Sequence, residues 1–561
     1  MDYDTKDLER EGSDVSHPNK EGEYHQSQLG PKPSRKHFFS PLDPAYADAV
    51  NRDAETVQFT EAEERAVKHK IDVVVLPLIV CSFIFNQFGG QLVSSLRRLT
   101  NLRADRTNIL FCEAEMHIPS QRLTTTSGCA HLAHVNLRDW FSSLVFSTDN
   151  NKWTLVLSIF YVGYCLLEMP ANVLQRYIGA NRFFFLSLNF WGIASLSVVY
   201  AKGYAGLLVL RVLMGIGEAG YYAGMIYYLS FWYKKHELAM RISLCMTGTL
   251  PGAIGGLLAF GLVRAKTSLL TGWQFLFLIE AIPTIIMAFV ILLFLPSFPF
   301  SATFLTPRER AIARARLNRD HKPQSHGGMT GWKGFKVIIA DLNAWLFMTV
   351  YASFNVGVAT ISLFYVHAQL IKNLGFTAIN AQGLTVAPYV VGWLMVVFQA
   401  FHSDRTRDRG YHIMLSCAIS LVGYIILATS HNTGAKYFAM FLVIGGLYSL
   451  FPLVMSWAAN AFSPTSKRGV GTAFIVSISN CVSIASPQVY FDPEDDYHKA
   501  HAISAGCLAL SFLAAFTLRT RLAWLNKRNA KRLAELGEKE KKELEETEEI
   551  WDTDPRYVFM T

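Results

Sequence analysis

Long apolar runs alternate with short polar and basic segments along most of the chain. The first run begins at Ile71, and eleven more apolar stretches follow it. We expect these eleven helices at about 153–174, 183–200, 204–235, 239–262, 273–295, 343–366, 381–402, 411–430, 436–458, 470–490 and 499–517. Each stretch is about as long as a helix must be to cross a hydrocarbon core of roughly 30 Å. The pattern predicts an all-α membrane protein with twelve transmembrane helices in two six-helix halves.

Polar segments flank and divide these two halves. Residues 1–65 are rich in charged and small polar residues, which predicts a disordered tail. Residues 66–295 form the first half and residues 343–517 the second. Residues 296–342 form a polar central loop, with an amphipathic helix expected after Pro307. Residues 518–561 are highly charged and predict a solvated helical tail.

Composition and charge narrow the class of protein and its orientation. Hydrophobic residues make up 51% of the chain and charged residues only 17%, which excludes an ordinary soluble protein. The net charge of +8 comes from basic residues clustered in the loops between even and odd helices. That is the positive-inside pattern of a membrane surface, so both termini are predicted to be cytoplasmic, with the lipid bilayer and not nucleic acid as partner.

Candidate chemistry is concentrated in the fourth apolar stretch, residues 204–235. Arg211 and Glu218 lie seven positions apart, which places them on one face of a helix. Ionisable residues inside a membrane are costly and by default indicate a functional site. The glycines and alanines around them favour close packing within a bundle. The stretch predicts a translocation path; the alternative is that the two charges only hold two helices in register.

The sequence offers no pattern typical of an enzyme. It contains no nucleophile with a base, no metal cluster and no phosphate-binding loop, so no cofactor or metal is predicted. Most cysteines lie in apolar runs, where they act as small hydrophobic residues. Cys112 and Cys129 share what should be an extracellular loop, so a disulfide between them is one alternative.

Several motifs resemble a known transporter family. HSDRTRDRG (402–410) and the weaker QRYIGANR (175–182) resemble the loop signature of the major facilitator superfamily, and Arg211 with Gly215 matches its R-x-x-x-G motif. Within the superfamily, RVLMGIGEAG (211–220) and FLTPRERAIARARL (304–317) are similar to the anion:cation symporter family. The similarity is greatest to its fungal allantoate, nicotinate and vitamin permeases. The resemblance implies the major facilitator fold and a plasma-membrane location.

The resemblance also implies roles for individual residues. Arg106 and Arg211 are expected to bind an anion, because a buried arginine offers paired donors to a carboxylate. Asp105 and Glu218 are expected to carry protons. The other candidates, each weighed against a purely structural role, are Tyr221, Tyr222, Asn355, Trp457 and Asn460 for substrate binding, and Glu168, Arg176, Asp404 and Arg405 for gating.

The first helix departs from the family pattern. About seventeen residues, 88–104, separate the first apolar run from Asp105, and about forty more, 110–150, follow the motif. Seventeen residues would add roughly 25 Å of helix, so one helix cannot hold Asp105 at cavity depth. Either the insertion loops out and the chain re-enters, or both segments are unspliced intron sequence. We favour the second interpretation, because neither segment has periodicity or family likeness.

Together these features predict a secondary transporter. It is expected to cotransport a small organic anion, such as nicotinate, allantoate or pantothenate, with protons by alternating access. An exporter of a secondary metabolite is the alternative within transport, and a nutrient receptor that does not transport is the alternative outside it. The oligomeric state is open, with a monomer favoured.

Overall fold

A computed structural model describes residues 57–86, 150–201, 203–245, 272–320, 331–363, 378–463, 465–489, 498–538, 540, 544 and 551–561. Within these ranges all regular secondary structure is helical. Each of the twelve predicted membrane helices has a counterpart there. We refer to 61–294 as the first half and 342–535 as the second half.

The first half contains seven described helices. They are α1 (61–86), α2 (Asn150–Ile178), α3 (Ala180–Val198), α4 (Gly203–Glu218), α5 (Tyr221–Leu229), α6 (Leu238–Cys245) and α7 (Gly272–Phe294). The pair α4 and α5 occupies the single stretch predicted at 204–235. The helix α6 is the described beginning of the stretch predicted at 239–262.

Two helices of the central loop precede the second half. The helix α8 (Pro307–Asp320) begins at the proline from which an amphipathic helix was expected, and α9 (Gly331–Ile339) was not predicted. The second half consists of α10 (Leu342–Leu363), α11 (Ala378–Thr406), α12 (Gly410–Thr429), α13 (Thr433–Ala461), α14 (Thr465–Ala485) and α15 (His498–Glu535). By length and composition, six described helices can cross a membrane: α7 and α11 to α15.

The fourth predicted helix is broken at Gly220. This residue has φ 76°, in the left-handed region that glycine tolerates best. A Cβ added there would lie 2.5 Å from the Ala171 Cβ, so the position also has no room for a side chain. The break separates α4 from α5 and explains why one apolar run gives two helices.

Small residues bring α4 against α2, as the sequence predicted. A Cβ at Gly215 would overlap the backbone oxygen of Phe160 on α2. The two halves meet along α2 and α14, where Ser158 Oγ donates to the Ile484 carbonyl at 2.8 Å and Ser477 Oγ donates to the Cys165 carbonyl at 3.0 Å. The interface between halves is therefore close-packed at α2.

One end of the bundle carries most of the ion pairs between described residues, and we call it the basic face. Buried Arg316 on α8 pairs with Glu237 and Glu64, and Lys234 pairs with Glu64. Further pairs there are Arg241 with Asp72, Lys70 with Glu309, and Arg308 with Glu63. Partial burial raises the pKa of Glu309, but the hydrogen bonds from Lys70 and Thr306 together outweigh it and leave the pKa lowered. These contacts fix α8 to the first half. The sequence predicts that the basic face is cytoplasmic.

The predicted solvated tail differs from the structure in its last residues. The helix α15 continues without a break to Glu535. Residues 551–561 then pack against the basic face, leaving Tyr557 only 5% and Phe559 only 4% exposed. The prediction rests on the charged composition of residues 518–561 as a whole. Composition does not reveal that two aromatic residues near the end of this segment are buried.

Candidate translocation site

Arg211 is held deep in the first half by groups of α2. It is 3% exposed, its Nε donates to the Val156 carbonyl at 3.2 Å, and its guanidinium carbon lies 5.0 Å from the centroid of the Phe160 ring. Among the described residues, its Nη1 has no hydrogen-bond partner. One side of the guanidinium is thus anchored by the protein, while Nη1 is a buried donor that no described residue engages.

Glu218 ends α4, two helical turns from Arg211. Its Oε1 accepts from Asn86 Nδ2 at 3.1 Å, so α1 contributes to this site. Seven helical residues separate the two positions by roughly 10 Å along the axis. The hydrogen bonds of the two side chains reach different helices, α2 from Arg211 and α1 from Glu218, so a role in holding helices in register stays an alternative. Asn86 was missed in the sequence; its only signal is a polar residue at the end of an apolar run.

Glu168 lies at the break between α4 and α5. The residue is fully buried, and its Oε2 accepts from the Gly220 N–H at 2.8 Å. Asn172 Nδ2 donates to its other oxygen at 3.4 Å. A carboxylate at this position satisfies a free donor at the N-terminus of α5 and complements the helix dipole. The geometry gives Glu168 the chemistry of a helix cap.

The two neighbouring tyrosines of α5 face different partners. Tyr221 is 1% exposed, and its hydroxyl donates to Ser82 Oγ on α1 at 2.6 Å. The Tyr222 ring instead lies 6.3 Å from the Phe451 ring of α13. Tyr222 therefore contributes to an aromatic surface between the halves, whereas Tyr221 packs within the first half.

Asn355 organises a neutral polar cluster in the second half. Its Nδ2 lies 2.9 Å from Asn480 Oδ1, 3.0 Å from Ser483 Oγ and 3.3 Å from the Ser479 carbonyl. These partners are all on α14, so Asn355 joins α10 to α14. It is 4% exposed.

Trp457 and Asn460 lie at the basic face, under residues 551–561. The Trp457 indole Nε1 donates to the Met560 carbonyl at 2.7 Å. Asn460 Nδ2 donates to the Lys235 carbonyl at 3.1 Å. Both side chains are thus engaged by protein groups, and their predicted contact with substrate stays a prediction.

Asp404 joins the two halves at the basic face. Its Oδ2 accepts from the Met240 N–H at the start of α6 at 2.8 Å, and its Oδ1 accepts from Arg409 Nη2 at 2.5 Å. Arg409 is fully buried; burial lowers its pKa, and the charge of Asp404 opposes that shift. Arg405 is exposed. The gating role predicted for Asp404 and Arg405 stays a prediction, and the sequence analysis missed Arg409 as the partner of Asp404.

The remaining predicted residues belong wholly or partly to stretches of the first half that the structure does not describe. Asp105, Arg106 and the two insertions lie outside the described residues, as do Cys112 and Cys129. The Arg176 side chain is also outside them, although its backbone belongs to α2. Next to it, Gln175 Nε2 donates to the Gly224 carbonyl at 2.9 Å, so this variant of the loop signature still connects α2 to α5.

Comparison with known proteins identifies the family of this fold. Residues 140–487 match the model of the Major Facilitator Superfamily. The Major facilitator-type transporter hxnP of Emericella nidulans is 30% identical over 84% of this chain and 88% of its own length. The MFS-type transporter efuF of Hormonema carpetanum is 33% identical over 75% of this chain and 77% of its own. The crystal structure of the E. coli fucose:proton symporter FucP is 13% identical, with a TM-score of 0.54 over 79% of this chain and 98% of that structure.

The chain belongs to the Major Facilitator Superfamily. It is a multi-pass membrane transporter with the twelve-helix all-α fold, and not an enzyme. The predictions of fold and superfamily are confirmed. The finer assignment to the anion:cation symporters stays a prediction.

Proposed function

We propose that the protein cotransports a small organic monocarboxylate with a proton across the plasma membrane. The substrate would be a carboxylate vitamin or nitrogen source such as nicotinate, allantoate or pantothenate. Rocking of the two halves around a site near α4 would expose it alternately to each side of the membrane.

The observation that carries this proposal is that Arg211 and Glu218 share one helix, α4, inside the first half. An arginine with Nη1 unpartnered among the described residues provides a donor for a carboxylate. The half-buried carboxylate of Glu218 on the same helix is a group that can take up and release a proton. The aromatic surface at Tyr222 and Phe451 supports a ring-bearing or apolar substrate body.

Uptake by cells that lack their own permeases tests the proposal. Labelled nicotinate, allantoate and pantothenate are supplied at external pH 5 and pH 7. We expect saturable uptake of one of them that is faster at pH 5. Arg211→Ala should abolish this uptake, and Arg211→Lys should retain only part of it, because lysine lacks the paired donors of a guanidinium.

Lys531→Ala is the matched control. It removes a positive charge from an 80% exposed side chain on α15, so uptake should equal that of the unaltered protein. Full uptake by Arg211→Ala would contradict the proposed anion site. Efflux of preloaded substrate without counterflow uptake would favour an exporter, and binding without any flux would favour a receptor.

A further inference from the structure

Residues 551–561 are docked on the second half by specific hydrogen bonds. Trp457 on α13 donates its indole N–H to the Met560 carbonyl at 2.7 Å. Asn526 on α15 pairs with the Phe559 backbone in both directions, each at 2.8 Å. A side-chain amide that satisfies both the N–H and the C=O of one residue fixes an extended segment in a single register. The segment is therefore specifically positioned.

Contacts at both ends of this segment also come from the second half. The backbone oxygen of Thr561 accepts from the Arg409 N–H at 2.7 Å, just before α12. Asp552 forms an ion pair with Lys467 at the start of α14. Lys467 also pairs with Asp341 at 2.7 Å. The segment thus spans four elements of the second half and moves with them if the halves separate.

One side chain of the segment reaches the first half. Tyr557 OH lies 3.3 Å from Lys235 Nζ, and the ammonium lies 4.4 Å from the centroid of the tyrosine ring. The same hydroxyl donates to the Asn460 carbonyl at 2.5 Å. Lys235 follows α5 and is thus part of the first half. Tyr557 connects the two halves through a cation–π contact at a nearly buried ring.

The second half also binds the backbone of Lys235. Its carbonyl accepts from Asn460 Nδ2 at 3.1 Å and from Arg409 Nη2 at 3.3 Å. The Lys235 carbonyl is therefore bound by side chains of α13 and the α11–α12 loop, and its ammonium contacts residues 551–561. If the basic face opens, these contacts must break.

We propose that residues 551–561 form a latch, fixed to the second half, whose Tyr557 clasps Lys235 and holds the basic face closed. The latch rests on the alternating access in the proposed function, but not on its substrate or its ion. The segment then stabilises the conformation that is closed at the basic face relative to the one that is open there. Weakening the clasp raises the population that is open at the basic face.

Double electron–electron resonance on the full-length purified protein tests the latch without a transport assay. Nitroxides are attached to Arg65→Cys on α1 and Lys531→Cys on α15, both exposed, in a background without other cysteines. Each of Tyr557→Ala and Lys235→Ala should raise the ratio of long to short distances about threefold to tenfold. The double variant should resemble either single one, because both remove the same contact.

Two control variants distinguish loss of the Tyr557–Lys235 contact from a general disturbance of the structure. Val558→Ala changes a 72% exposed neighbour in the same segment and should leave the distances unchanged. Lys235→Arg keeps the cation over the ring and should behave in the same way. Lys235→Ala leaves the docking on the second half intact, so it carries the test even if Tyr557→Ala fails to fold. Unchanged distances in Lys235→Ala, at an unchanged unfolding temperature, would overturn the latch whether or not the protein transports an anion.

Discussion

The two halves of the bundle differ in the kind of polar group that they bury. In the first half, Glu168, Arg211 and Glu280 are at most 3% exposed and lie within helices. In the described second half, the buried polar groups within the helices around Asn355 are neutral. The buried charges there lie at helix ends or between helices: Arg409, Lys436, Lys467 and Arg468. Charge chemistry is thus concentrated in one half, while the other supplies neutral hydrogen bonds and aromatic surface.

This asymmetry divides the expected work between the halves. Burying a charge is far more costly than burying an amide or hydroxyl that is hydrogen-bonded. The first half buries charged side chains in the region where the anion and the proton are expected to bind. The second half can then change its contacts with the substrate body without disturbing a buried ion. Three substitutions test this division, from the largest expected effect to the smallest.

Glu218→Gln should have the largest effect. The amide keeps an oxygen for Asn86 Nδ2 but cannot take up and release a proton. We expect uphill accumulation driven by a pH gradient to be lost, where one coupled proton would give about tenfold for each unit of pH difference. Exchange of labelled for unlabelled substrate should continue. Accumulation measured in proteoliposomes with an imposed pH gradient checks this.

Glu535→Gln is the matched control for that substitution. Glu535 is a 64% exposed carboxylate at the end of α15, so accumulation should be unchanged. Normal accumulation in Glu218→Gln would mean that another residue of the first half carries the proton. Arg211 alone would then support the assignment of charge chemistry to the first half.

Glu168→Ala should mainly affect stability. The substitution removes the acceptor of the Gly220 N–H at the N-terminus of α5, which should cost about 1–2 kcal/mol. Glu168→Gln keeps an acceptor and should cost less. Unfolding temperatures in detergent measure both. If Glu168→Ala is as stable as the unaltered protein but loses accumulation, Glu168 belongs to the proton path and not to the cap.

Much of the architecture was predictable because hydrophobic length and charge are local properties. The apolar runs predicted α2, α3 and α7, and the structure places their ends within about four residues of the predicted bounds. Gly220 was included in a continuous helix. The amino-acid pattern cannot reveal that its φ is positive, because glycine is also common within packed membrane helices.

The candidate site was only partly predictable because its partners come from distant helices. Arg211 and Glu218 stood out as charges in an apolar run. Their neighbours Val156 and Asn86 come from α2 and α1, and no local pattern pairs them with α4. The same limitation applies to residues 551–561. The role of their aromatic side chains depends on the surface against which they pack, and that surface comes from distant parts of the sequence.

Asn355→Ala should have the smallest effect of the three substitutions. It removes neutral hydrogen bonds to α14, each worth about 0.5–1.5 kcal/mol, and leaves the charges of the first half in place. If the cluster shapes the wall for the substrate body, KM should rise about threefold to tenfold while the dependence on pH is retained. Thr349→Ala is the control on the same helix, since the one hydrogen bond that its hydroxyl makes to described residues goes to the Trp345 carbonyl one turn earlier. A lower unfolding temperature with unchanged KM would instead confine Asn355 to joining α10 and α14. A loss of pH dependence would contradict the division of work between the halves, because a neutral amide would then be acting on the proton.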